Sequence, residues 1–120
     1  MNATIVHKTN VMSGVLDDLA KELPGILADE LEVPGGNLAI LKPEQVSLEF
    51  SQASPRDVGS DIKIMVFAKG IFPRISSEKD LAKKILEKVV SLIATSGGEY
   101  SVDIRLYLME IGVAEYSLSI

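Results

Sequence analysis

The chain contains no cysteine and only one histidine, His7. Without thiols there is no disulfide framework, no cysteine nucleophile and no thiolate metal site. A lone imidazole excludes a histidine metal cluster, and no calcium-type acidic loop occurs. Long apolar runs are missing as well, because Lys, Asp or Glu interrupts each stretch before it reaches the length of a membrane span. Met1-Asn2-Ala3-Thr4 lacks the basic stretch, apolar block and cleavage site of a secretory leader. A cytoplasmic location is therefore expected, with no membrane partner, and the lack of cysteine suits a reducing compartment.

Positive charge is also in short supply. Twelve Lys and Arg face 17 Asp and Glu, for a net charge of −5. A nucleic-acid binder needs a basic stripe, so no nucleic-acid partner is expected. The pair Lys83-Lys84 sits among Glu78, Asp80 and Glu87 and reads as a solvated helix face. Gly35-Gly36 and Gly97-Gly98 lack the Lys-Ser/Thr that completes a phosphate loop. Met12-Ser13-Gly14 lacks the pattern of a nucleophile elbow. No metal and no cofactor are expected.

Apolar residues, by contrast, are abundant. They make up 47% of the chain, and the mean hydropathy is +0.25. At 120 residues the length fits one domain, residues 1–120, large enough to bury a core without staples. A domain of this size cannot hide that much apolar surface alone, so part of it is expected in a subunit interface.

Periodicity gives the elements. Residues 4–7 form a short β-branched run that predicts a first strand. From 16 to 31, Leu16, Leu19, Ala20, Leu23, Ile26, Leu27 and Leu31 recur at helical spacing, interrupted by Pro24-Gly25. This is one kinked helix, or a turn followed by a helix with Pro24 in its first turn. Pro34-Gly35-Gly36-Asn37 ends the segment. Residues 46–52 alternate Val46, Leu48 and Phe50 against Ser47, Glu49 and Ser51. Residues 62–68 alternate Ile62, Ile64 and Val66 against Lys63, Met65 and Phe67, and the two strands read as a hairpin. Ser77 is placed to cap a second helix with Leu81, Ala82, Ile85, Leu86, Val89 and Ile93 as its buried stripe, stopped by Gly97-Gly98. Residues 102–109 form the last major strand, with Asp103, Arg105, Tyr107 and Met109 on its reverse face, and 113–120 alternates weakly as a terminal strand.

The order is β-α-β-β-α-β, an α+β two-layer sandwich with both helices on one face of a four-stranded sheet. The other face mixes Met65, Phe67 and Tyr107 with Lys63, Asp103 and Arg105. A half-apolar face left open in one chain is where partner subunits are expected.

This order, with several local stretches, resembles the tautomerase superfamily. Lys42-Pro43-Glu44-Gln45-Val46-Ser47-Leu48 is similar to the lead-in to the second strand in its macrophage migration inhibitory factor branch. The run 101–109, with Gly112 and Tyr116 beyond it, is similar to the last strand and tail of the same branch. Leu23-Pro24-Gly25-Ile26, and the stretch from Lys69 to Arg74-Ile75-Ser76, resemble the 5-carboxymethyl-2-hydroxymuconate isomerase branch. The similarity spans the whole chain and lies in the order and spacing of these stretches.

The resemblance implies a homotrimer with pockets between subunits. It also implies an N-terminal proline whose secondary amine, held in an apolar pocket, serves as a base near neutral pH. This chain departs from that pattern. Aligning Ile5-Val6 puts Asn2 at the proline position, and Asn has no titratable base. Asn is also too large for ordinary removal of the initiator Met, so the chain is expected to begin at Met1, its primary amine one residue farther out.

The resemblance further implies substrate-binding roles. Lys42 matches a pocket lysine, and the competing reading is a surface lysine before a strand. Arg105 and Asp103 match pocket positions, with Arg105 able to clamp a carboxylate as a planar fork. Against this stands an ion pair of Arg105 with Asp103 or Glu49 at a subunit interface. Tyr116 matches an aromatic pocket wall, against a reading as packing for the C-terminal strand; Arg74 matches a basic position ahead of the second helix that is more often structural; and Lys69 ends a strand facing pocket or solvent. Arg56, His7 and Glu49 each have a structural reading that outweighs a catalytic one.

Two functions follow. One is a divergent tautomerase or isomerase acting on a small oxo or enol carboxylic acid held by Lys42, Arg105 and Arg74. The other is a trimeric binding or interaction protein that has lost proline-based chemistry.

Overall fold

The computed structural model describes residues 1–32 and 42–118. Its elements are β1 (Asn2–His7), α1 (Ser13–Leu31), a 3-10 turn (Pro43–Gln45), β2 (Ser47–Gln52), β3 (Ile62–Lys69), a short α2 (Phe72–Ile75), α3 (Glu78–Thr95) and β4 (Val102–Met109). The four strands form one sheet in the order β2-β1-β3-β4.

Each half is a parallel pair: β1 with β2, separated in sequence by α1, and β3 with β4, separated by α3. Parallel neighbours need such a crossover, because the chain must return to the same end of the sheet. The halves join antiparallel through β1 and β3 at the centre. The expected β2–β3 hairpin is therefore wrong. The loop after β2 carries the chain past β1, and β3 pairs on the far side of it. Burial explains the choice. Ile62, Ile64, Val66 and Ala68 of β3 are all buried, as suits a central strand, whereas β2 offers only the half-buried Leu48 and Phe50.

The core lies between this face and the helices, with Ile5, Leu19, Leu23, Leu27, Leu31, Ile85 and Val89 among its fully buried side chains. Burying each such residue stabilises the fold by about 1.5–3 kcal/mol. That offsets the proline in α1, which runs unbroken through Pro24 as one helix. Pro24 cannot donate to the Ala20 carbonyl, but Ala20 is exposed and water can serve there.

Gly97 ends α3 with φ +86°, the left-handed turn that glycine takes without a Cβ clash. Ser77 does occupy the N-cap position of α3, yet its side chain makes no capping bond, contrary to expectation. Instead its N–H donates to the Arg74 carbonyl, continuing the chain out of α2. The Pro34-Gly35-Gly36-Asn37 stop lies outside the described residues; α1 ends before it, at Leu31. Residues 113–118 form no strand, so the expected terminal strand is absent over that stretch, and 119–120 lie outside the described residues. Val113, Tyr116 and Leu118 are 71%, 88% and 76% exposed, so their side chains have little to pack against within this chain.

Asp61 ties the loop before β3 to the start of β4. It accepts from the Ser101 N–H at 3.0 Å and from the Ser101 hydroxyl at 3.1 Å. These bonds, the backbone one first, hold its carboxyl below the usual aspartate value.

Candidate functional site

The sheet has one face against the helices and one left open. On the open face the register sets three rows across β2, β1, β3 and β4. They are Ser51-Val6-Lys63-Asp103, Glu49-Thr4-Met65-Arg105 and Ser47-Asn2-Phe67-Tyr107. Strand alternation puts these residues outward, because their neighbours Ala3, Ile5, Ile62, Ile64 and Val66 are buried in the core. Phe67 stacks on Tyr107 with centroids 5.0 Å apart and an interplanar angle of 11°. Aromatic stacking and Met65 give the face a patch that water covers poorly.

A cleft of about 350 Å³ opens at the Asn2 end of the sheet, lined by Met1, Asn2, Phe67 and residues 111–115. Three features build it. β1 begins here, and the Ser47 N–H fixes the Met1 carbonyl at 3.0 Å. β3 contributes Phe67, which lies opposite Asn2 in the register. Beyond β4 the irregular segment Ile111 to Glu115 supplies the rest of the lining. Met1 is half-buried, its side chain packed against the core. The lining mixes apolar side chains, Met1, Phe67, Ile111 and Val113 among them, with the polar Asn2 and Glu115.

The expected site residues fall into three groups. Met1 and Asn2 line this cleft. Lys42, Lys69, Arg105, Asp103 and Tyr116 do not line it. Lys42 is exposed just ahead of the 3-10 turn, its backbone N–H donating to Gln45 Oε1 at 3.0 Å. Lys69 is exposed on the open face, one step beyond Phe67 along β3. Arg105 is two strands and one row from Asn2, about 12 Å by sheet spacing. Its Nε donates to Asp103 Oδ2 at 3.1 Å, which raises its already high pKa. Of the two ion pairs weighed for Arg105, the one with Asp103 forms, and the one with Glu49 does not. Tyr116 is exposed beyond Glu115.

Arg74 stands apart. It is 4% exposed, and its Nε donates to the Leu31 carbonyl at 2.9 Å while Nη1 donates to the Lys69 carbonyl at 3.0 Å. It thereby supplies a cation to the C-terminal end of α1, whose own last turn contains no basic residue. Burial lowers its pKa. In the folded chain it clamps α1 to β3, its Nη2 is buried without a hydrogen-bond partner, and the residue lines a cleft of about 220 Å³ together with Glu30, Pro73, Asp80 and Lys84. Arg74→Met is expected to leave both carbonyls without donors and to lower stability by about 2–4 kcal/mol, read from the urea midpoint.

Sequence reasoning missed Glu115 and the wall formed by residues 111–114. The signal available was Gly112, noted only as part of a family-like tail. Among the described residues no three metal-ligating side chains converge, and no helix is long and apolar enough to cross a membrane.

No protein-family model matches the chain, and no curated protein matches it by sequence. Solved structures do. A fused 4-OT, the wild-type F6 asymmetric trimer, superposes with a TM-score of 0.65 at 11% identity, covering 94% of this chain and 92% of that one. The chain has the tautomerase fold. N1, a member of the cis-3-chloroacrylic acid dehalogenase family, matches with a TM-score of 0.65 at 11% identity, over 91% of this chain and 75% of its own. Malonate semialdehyde decarboxylase matches with a TM-score of 0.59 at 12% identity, over 100% of this chain and 92% of its own. At such identities the shared property is the tautomerase fold: two β-α-β halves on a mixed sheet. The activities named for those proteins are theirs.

Proposed function

We propose that this chain assembles into a homotrimer through the open face of its sheet, and that the clefts so completed bind a small oxo or enol carboxylic acid. There the protein interconverts keto and enol forms without an N-terminal proline. The observation that carries this reading is the cleft at Asn2, opening beside a sheet face whose Phe67–Tyr107 stack and Met65 lack cover in one chain. Fused 4-OT proteins of the same fold are described as trimers, which supports self-association here.

One chain does not complete the site. No cationic side chain lines its cleft, yet an acid ligand requires one. Exposed Lys42 and Arg105 are the groups that copies packed face to face bring to one another's clefts. Their exposure and their placement near this face fit that role. Purified protein is expected to ketonise phenylpyruvate or 2-hydroxymuconate faster than buffer. Losing one charge-assisted carboxylate contact, in Lys42→Ala or Arg105→Ala, is expected to lower kcat/KM by roughly 10- to 100-fold. A wild-type rate equal to buffer would remove the enzymatic reading.

A second reading, binding without turnover, is favoured by one observation: Asn2 stands where the fold's resemblance implies the proline base. Saturable binding of the acid by calorimetry, with no rate above buffer, would select it.

A further inference from the structure

If turnover occurs in this cleft, some group must carry the proton. The residues around it narrow the choice. Met1, Phe67 and residues 111–114 have side chains that neither take nor give a proton, and the Asn2 amide does not titrate. Glu115 is the only lining residue whose side chain can do so; the other candidate group is the Met1 α-amine, one residue beyond the Asn2 position where the resemblance implies the base. Among the described residues its carboxylate makes no ion pair or side-chain hydrogen bond that would tie it up. Two further carboxylates lie in the rows of the open face, Glu49 in the adjacent row and Asp103 paired with Arg105, and neither lines the cleft.

We propose that Glu115 is the catalytic acid–base residue of this site, moving a proton between the oxygen and C3 of a 2-oxo acid and its enol. This rests on the function proposed above. In the ketonising direction the Glu115 carboxylate takes the proton from the C2 hydroxyl. The oxygen electron pair closes to a C2=O bond, and the C2=C3 electrons take a proton from the Glu115 carboxyl onto C3. The carboxylate is regenerated, and no oxidant, reductant or further reactant enters. The position is suited to this work. Glu115 lines the same cleft as Asn2 and Phe67, so a small enol held there lies beside it. In one chain Glu115 is exposed. A partner on the open face would shield it from bulk water, the condition under which a carboxylate acts as an effective base.

The test is Glu115→Gln, which keeps shape and removes the proton acceptor. Because the residue is exposed and free of fold contacts, the variant is expected to keep the wild-type molar mass and circular dichroism. Phenylpyruvate binding by calorimetry is expected to persist, while kcat falls by about 10²-fold or more. A wild-type protein faster than buffer, with Glu115→Gln equally fast, would overturn the assignment and leave the cleft reading standing. A wild-type protein no faster than buffer would remove the assignment together with the enzymatic reading.

Discussion

Met65→Lys is expected to yield a folded chain that no longer assembles. Met65 sits at the middle of the open face, between Thr4 of β1 and Arg105 of β4. Its side chain points away from the core, which is lined on β3 by Ile62, Ile64, Val66 and Ala68, so a lysine there costs the single chain little. In a trimer each copy would bury an ammonium beside the Arg105 guanidinium. An unpaired charge at a packed interface costs several kcal/mol, and like charge adds to it. Light scattering at micromolar concentration is expected to give the mass of one chain, with the far-ultraviolet spectrum unchanged. Persistence of the wild-type assembly would place the interface elsewhere.

The second large effect is a gain. A chain expressed from Met1 with proline at position 2 permits removal of the methionine, leaving a secondary amine where Asn2 now lies. That position lines the cleft opposite Phe67. A positioned general base contributes roughly 10²–10⁴-fold. Asn2→Pro is therefore expected to restore ketonisation in the Glu115→Gln chain to at least the wild-type rate, with mass spectrometry verifying loss of Met1. The variant would lose the Ser47 N–H bond to the Met1 carbonyl and the packing of the Met1 side chain. The expected cost is about 2 kcal/mol of stability. Failure to rescue, with Met1 removed and the fold intact, would mean that the cleft does not hold a substrate against this position.

Much of the fold was legible because amphipathic spacing is local. The stripe Ile85, Val89 and Ile93 and the alternation from Ile62 to Ala68 each encode a buried face that the structure bears out. Pairing is not local, and there the reading failed. Clean alternation in β2 and β3 says that both are strands but not that β1 lies between them. The deciding quantity was how completely each inner face is buried. The site was less legible. Asn2 is legible through its place ahead of Ile5-Val6, whereas Glu115 lies in the irregular segment after β4, whose path no periodicity specifies. Arg74 reads more often as a structural residue, but its two partners, backbone carbonyls from distant segments, are announced by no spacing in the chain.

The proposed function requires the open sheet face to be covered by further copies of the same chain. Static light scattering of the purified protein at micromolar concentration measures this directly. The predicted mass is about three times the 12.9 kDa of one chain. A stable mass of one chain under those conditions would leave Phe67, Tyr107 and Met65 facing water and would contradict the account.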